Sequence, residues 1–246
     1  MTAWSVPVSS DCYPQRAAAF AAMTAALVFL VGCNRRPPIT GPAMPHGFVV
    51  ARPDAPLFDP SLASSRLETK ERDRWQQPDR IVAALHLKAG ETVADIGSGS
   101  GYLLPYLSRA VGPTGVVCAE EVQDGFLPAL RDRARRLKNV RVVLGTVDDP
   151  ALPVRKIGAF VLLTVYHEVD HPVDFLKTLR KYALPDARLA IIDFDARRKG
   201  NPPAPEGHEV SESAVVLEAS AAGWTLSERH EFLSSLFYLV FRPRHH

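Results

Sequence analysis

The sequence predicts an α/β domain: a doubly wound sheet of seven strands, mostly parallel, with an antiparallel C-terminal hairpin. Three observations carry this reading. Between residues 92 and 194, strand-like runs alternate with helix-like stretches, as parallel strands joined by crossover helices do. The first of these strands runs into a glycine-rich turn, Gly97-Ser-Gly-Ser-Gly101, that opens the next helix. After residue 224 the alternation stops, and two strand-like runs follow one another with only Leu233-Ser234-Ser235 between them, which reads as a hairpin at one edge.

Each element has its own justification. Residues 61–77 are charged and helix-prone, and Pro78 suits the first turn of a second helix through Ile81, Val82, Leu85 and Leu87. Strands are expected over Thr92–Ile96, Gly115–Glu121, Val140–Leu144, Ala159–Val165 and Ala187–Phe194. Helices are expected between them over Tyr102–Val111, Asp124–Leu137 and Val173–Leu184. A helix over Ser211–Ala222 then leads into the hairpin strands Trp224–Phe232 and Leu236–Arg242. There is no internal repeat and no second domain. The chain has 246 residues, 46% hydrophobic and 23% charged, which excludes disordered, collagen-like and disulfide-stapled classes. With 29 basic against 27 acidic residues the net charge is +2, too small a field to advertise a nucleic-acid partner. Cys12, Cys33 and Cys118 are too few and too scattered for a zinc cluster or a disulfide framework.

The N-terminus differs from the rest. Arg16 precedes an apolar and small-residue run over 17–32 that ends in Leu30-Val31-Gly32-Cys33. At 16 residues it falls short of the roughly 20 that a spanning helix needs, and it has the layout of a secretory leader. The ending resembles the lipobox of bacterial lipoproteins, which implies that Cys33 is lipidated and becomes the new N-terminus. The plainer alternatives are an uncleaved anchor, or a mis-set start with Cys33 as a passive core residue. Asn34 in place of Asp implies sorting to the outer membrane, on the periplasmic side, rather than inner-membrane retention; a misread lipobox would leave the chain cytoplasmic. Seven prolines between residues 34 and 60 make an extended tether. The expected organisation is a leader over 1–32, a lipidated Cys33 and tether over 33–60, and one domain over 61–246.

The informative stretch is Val93-Ala94-Asp95-Ile96-Gly97-Ser98-Gly99-Ser100-Gly101-Tyr102. A dinucleotide turn would place its third glycine at position 102, which is Tyr. The alternate glycines, with an acid two residues ahead, resemble motif I of the class I S-adenosylmethionine-dependent methyltransferases, whose fold is Rossmann-like. The resemblance implies that Gly97, Gly99, Gly101 and Tyr102 line the cofactor and that Asp95 reaches its ammonium group. It further implies that the acid closing the next strand, Glu121 with Glu120 as second choice, accepts hydrogen bonds from the ribose diol. Gly145-Thr-Val-Asp148-Asp149-Pro resembles the loop over the adenine, where Asp148 or Asp149 would serve; a simple turn cap is the competing reading.

Farther on, Phe160-Val-Leu-Leu-Thr-Val-Tyr-His-Glu-Val-Asp-His-Pro172 is similar to the fourth-strand motif of a methyltransferase subgroup, as are Arg74-Trp75-Gln76-Gln77-Pro78 and Arg188-Leu-Ala-Ile-Ile-Asp193-Phe. Thr164 departs from that pattern, which has Asp or Asn there, at a position that would meet cofactor or substrate. Tyr166, His167 and Glu168 are the candidates for positioning a methyl acceptor, with His167 the base because its reference pKa lies near neutrality; the alternative is that Tyr166 and His167 only pack the loop. His208 can close over the site or face solvent. His167-Glu168-Val169-Asp170-His171 also spells a zinc-protease string. That chemistry needs both histidines on one helical face, whereas a strand precedes this segment and Pro172 follows it, so no metal is assigned. The expectation is a lipid-anchored methyltransferase using S-adenosylmethionine on a small-molecule acceptor. An NAD-dependent oxidoreductase is disfavoured by the glycine spacing, and a non-catalytic envelope lipoprotein keeping the fold is the alternative from another class. Oligomeric state is not readable.

Overall fold

The structure is a computed structural model that describes residues 59–62, 67, 69–195 and 197–245. The expected leader, Cys33 and nearly all of the tether lie outside the described residues. Among the described residues, no helix is long and apolar enough to cross a membrane.

Two short helices, α1 (Lys70–Gln76) and α2 (Pro78–Ala84), precede the sheet. The alternating core follows as β1 (Thr92–Ile96), α3 (Leu104–Val111), β2 (Val116–Glu121), α4 (Leu127–Leu137), β3 (Val140–Leu144), β4 (Ile157–Leu163), α5 (Pro172–Tyr182) and β5 (Ala183–Phe194). It closes with α6 (Glu212–Ala221), β6 (Trp224–His230) and β7 (Leu236–Pro243). The seven strands lie in the order β3-β2-β1-β4-β5-β7-β6. β7 runs antiparallel between β5 and β6, and the other neighbouring pairs are parallel.

Period-2 burial sorts the strand side chains into two core layers. Ala94, Phe160, Leu162, Leu189 and Ile191 pack against α5 and α6. Val93, Val161, Leu163, Ala190 and Ile192 pack against α2, α3 and α4. Every residue of β4 is buried, as expected of a central strand covered on both faces. Trp224 anchors the outer hairpin: its indole N–H donates to the Leu176 carbonyl at 3.0 Å and its ring meets Phe160 edge-on.

Element boundaries shift where the backbone takes special conformations. α2 stops at Ala84, short of Leu87, because His86 sits at φ 49. β4 stops at Leu163 because Thr164 takes φ 55, a region costly for a β-branched residue. Asp124–Phe126 form a 3-10 turn ahead of α4. β5 starts at Ala183, paired with Ile157. Ser211 caps α6 from outside, its hydroxyl accepting the Ala214 N–H at 3.2 Å.

The topology also fixes where a ligand can sit. From β1 the chain steps to β2 and β3 on one side, then returns to lay β4 on the other side of β1. The crossovers therefore diverge between β1 and β4, and a crevice opens beyond the carboxyl ends of those two strands.

Candidate active site

One cleft of about 330 Å³ occupies that crevice. Its two ends are built differently. At one end, Ile96, Gly97 and Gly99 leave β1, and Glu120 and Glu121 close β2. At the other, Thr164, His167 and Glu168 follow β4, and His208 comes from the loop after β5.

The first end is a backbone turn held by carboxylates. Gly97 takes φ 66, and a methyl group added there would overlap the Val165 side chain. The Ser98 N–H donates to the Glu120 carbonyl at 2.8 Å, tying the turn to β2. The Glu121 carboxylate accepts the Gly99 N–H on Oε2 and the Gln123 N–H on Oε1, both at 2.8 Å. Each of its oxygens keeps a second lone pair, the capacity needed to accept a vicinal diol. Glu120 accepts the Gly97 N–H at 3.2 Å on Oε2, while its buried Oε1 has no hydrogen-bond partner among the described residues.

Burial dominates the electrostatics of this end. It pushes the Asp95 carboxyl up to about 7, with the Glu121 charge adding to the effect and the Ser98 hydrogen bond and the Arg72 charge opposing it. Burial likewise pushes Glu120 up to about 8; the Gly97 N–H works against this, and the neighbouring acids reinforce it. Glu121 is raised too, again mainly by burial, against the backbone N–H groups it accepts. Three adjacent, desolvated carboxyls with few compensating cations make a place where a cationic ligand is favoured. The residues thus fit S-adenosylmethionine: a turn with no room for a Cβ, an orphaned carboxyl oxygen, and a negative field for an ammonium and a sulfonium.

The second end is built from side chains of distant segments. The Asp193 carboxylate, wholly buried at the end of β5, accepts the His167 backbone N–H at 3.0 Å and the Phe194 N–H at 2.8 Å. It also lies 2.8 Å from His167 Nδ1. An ionised carboxylate only accepts, so Nδ1 carries the shared proton and Nε2 faces the cleft as the basic nitrogen. Nε2 lies 3.0 Å from His208 Nδ1 and 3.7 Å from Glu168 Oε1.

The expected residues separate on this geometry. Gly97, Gly99, Glu121, Thr164, His167 and Glu168 all line the cleft, and Glu120 joins them. Asp95 lies buried just behind its wall, at 3% exposure. Gly101 is a packing position: a Cβ there would stand 2.8 Å from Leu104 and 2.9 Å from Leu130. Tyr102 also points away, its hydroxyl donating to Asp73 at 2.7 Å and its ring under the Arg72 guanidinium. Tyr166 is a correction as well. Its hydroxyl donates to Glu218 at 2.8 Å, and its side chain is fully buried under α6, away from any acceptor. Asp149 is the turn cap, accepting the Tyr182 hydroxyl at 2.7 Å and the Ala151 N–H at 2.9 Å. Asp148 is exposed, and the cleft wall in this loop is Thr146 and Val147 instead. His171 is exposed at the start of α5, so the zinc-protease string does not assemble.

Three side chains carry more of the site than the sequence signalled. Asp193 stands in a recognised motif but without a role, His208 stands in none, and both meet His167 only through strand pairing and a loop return. Arg72 lines the cleft from α1, with its Nη1 donating to the Leu67 carbonyl at 2.9 Å; in the sequence it is one charge among many in a helix-prone stretch.

Comparisons with known proteins then identify the family. A methyltransferase-domain family model matches residues 94–191. A solved S-adenosylmethionine-dependent methyltransferase from Aquifex aeolicus is 32% identical, with a TM-score of 0.70 over 75% of this chain and 98% of that one. The chain therefore belongs to the S-adenosylmethionine-dependent methyltransferases. Among curated proteins, the ubiquinone/menaquinone biosynthesis C-methyltransferase of Pseudomonas fluorescens is 28% identical over 111 residues; the match spans 44% of this chain and 43% of that relative. At the level of fold alone, the chain is similar to an O-methyltransferase of neocarzinostatin biosynthesis, solved with S-adenosyl-L-homocysteine and 1,4-dihydroxy-2-naphthoic acid. That pair is 23% identical with a TM-score of 0.58, over 75% of this chain and 59% of that one.

Proposed function

We propose that this protein transfers the methyl group of S-adenosylmethionine to a small, largely apolar acceptor that carries one ionisable hydroxyl, thiol or acidic C–H group. The observation that carries this is a single cleft joining the Glu120–Glu121–Gly97 end to the His167–Asp193 pair. Its volume lies near the lower end of the roughly 300–1,000 Å³ of small-ligand sites. Trp75, Phe126, Val169, Phe175 and Phe194 give it apolar walls, suited to a ring or alkyl body rather than to a polymer.

S-adenosylmethionine supplies an activated methyl whose C–S bonding pair stays on sulfur as the acceptor atom forms the new bond. The residues of the chain then have distinct tasks. Glu121 takes the ribose hydroxyls, Asp95 and Glu120 favour the cationic portion, and Arg72 stands beside them as the partner for a carboxylate. His167 Nε2 receives the proton that the acceptor gives up, and Asp193 stabilises the resulting imidazolium, as a carboxylate hydrogen-bonded to Nδ1 does. The rest of the rate comes from holding acceptor and methyl at near-attack distance between apolar walls. Release of labelled methyl into a panel of small phenols, thiols and quinols tests the reading; His167→Ala is expected to lower transfer about 10²–10⁴-fold while cofactor affinity is retained. Transfer unaffected by His167→Ala would remove the base.

For the N-terminus we propose export and lipidation at Cys33, with the domain tethered to the envelope. The support is the apolar run ending at Gly32-Cys33 and the proline-rich segment after it. Incorporation of labelled palmitate that disappears in Cys33→Ala is the expected result; equal labelling of both chains would overturn it.

A further inference from the structure

Three donor atoms on different side chains converge at the acceptor end of the cleft. His167 Nε2, His208 Nδ1 and Glu168 Oε1 lie within 4.8 Å of one another. We propose that they bind one divalent transition-metal ion, zinc being the best match, with an open coordination position facing the acceptor.

The donor set is the first argument. Two imidazoles and one carboxylate are the ligands of three-ligand zinc sites that keep a fourth position open, and imidazole nitrogen favours zinc, copper, nickel or iron over magnesium and calcium. Spacing is the second. Ligands about 2.0–2.1 Å from a tetrahedral ion stand about 3.3 Å apart. The observed 3.0 Å from Nε2 to His208 Nδ1 and 3.7 Å from Nε2 to Glu168 Oε1 bracket that edge. The third argument is the support behind the ligands. Histidines that bind metal donate their other ring N–H to a carboxylate, and Asp193 fills that role 2.8 Å from His167 Nδ1. Asp193 is itself fixed by two backbone N–H groups and is fully buried.

The assembly differs from the string that the sequence offers. His171, four residues after His167, takes no part, whereas His208 arrives from 41 residues away. Metal entry displaces the proton between the two imidazoles; His208 takes up its Nε2–H tautomer, so the neutral pair binds the ion with no net release of a proton. The site also sharpens the acceptor class. A hydroxyl, enol or thiol that coordinates the ion loses its proton to solvent at lower pH than when free, and the anion attacks the methyl. The inference stands apart from the cofactor reading, because metal binding needs no methyl donor; it replaces the base role of His167, since with the ion bound Nε2 is a ligand and the coordinated acceptor gives its proton to solvent instead.

The test is calorimetric titration of the full chain, stripped of metal by a chelator, with zinc chloride, and with cobalt chloride as a coloured probe. One zinc at micromolar or tighter affinity is expected, with cobalt giving the visible absorption of a tetrahedral site. His208→Ala and His167→Ala should each weaken zinc at least 100-fold, and Asp193→Asn about 10–100-fold. A chain with His245→Ala and His246→Ala should bind zinc as the parent does. Retained S-adenosylmethionine binding by each variant shows that it is folded. Absence of zinc binding at millimolar metal, or binding unchanged in both His167→Ala and His208→Ala, overturns the metal site. Either result leaves the methyltransferase reading standing if the cofactor still binds.

Discussion

The two ends of the cleft are made by opposite means. The cofactor end is almost all local: the turn of seven residues between β1 and α3, closed by two consecutive acids at the end of β2, with backbone N–H groups as the donors. The acceptor end is assembled from Asp193, His167 with Glu168, and His208, which belong to a strand end, a 3-10 turn and a loop. The first arrangement recognises a ligand shared by a whole family and is written in contiguous residues. The second has to suit one acceptor, and it depends on side chains that the sheet brings together from afar.

This contrast is sharpest where a substitution affects one end alone. His167→Ala is expected to lower methyl transfer about 10²–10⁴-fold, the usual contribution of a positioned base, with the calorimetric affinity for S-adenosylmethionine unchanged. A parallel loss of affinity would mean that the two ends are not separable. Next in size, Glu121→Ala removes an acceptor that offers two charge-assisted hydrogen bonds. At about 1.5–3 kcal/mol each, loss of even one weakens the cofactor by about 10–150-fold; a change smaller than threefold would reassign the ribose to Glu120.

The pH response separates the ends again. Asp95 is raised to about 7 and Glu120 to about 8, so the free protein binds more protons than its unfolded chain between about pH 4 and 8. The stability these two groups favour is complete below about 4 and is lost as pH rises through 7 to 8. A cationic ligand prefers the ionised carboxyls, so S-adenosylmethionine affinity should rise by up to about tenfold per pH unit from 6 and level off above 8. In Asp95→Asn the rise should be shallower, and a slope equal to that of the parent would show that Asp95 does not titrate with binding. The smallest effect concerns Thr164 at φ 55. Thr164→Asn, better suited to that conformation, should stabilise the chain by about 1 kcal/mol in denaturant unfolding, and destabilisation would mean that the threonine hydroxyl bond to the Leu163 carbonyl outweighs the strain.

Legibility in the sequence followed the same division. The sheet was readable because its central strands are buried runs alternating with helices, and the hairpin because two runs follow with a short gap. Strand order was not, since no local pattern tells that β4 lies beside β1. The glycine turn and Glu121 were readable because a backbone that must approach a ligand dictates its own residues. Gly101 and Tyr102 belong to the same run, yet the turn rotates them toward Leu104 and Asp73. Tyr166 was misjudged next to His167, because successive residues of the 3-10 turn point to different sides, one to Glu218 and the other to Asp193. Asp193 stood in a recognised motif without a role, which it acquires only when β5 sets it beside the turn after β4.

The central claim is that the cleft at the β1–β4 switch point binds S-adenosylmethionine through the carboxyls around the glycine turn. Calorimetric titration of the purified full chain with S-adenosylmethionine at pH 8 tests it most directly. One-to-one binding that is lost in Asp95→Ala and in Gly97→Val, and kept in His167→Ala, is the predicted result. No binding at millimolar ligand, or equal binding by the parent and Gly97→Val, would contradict it.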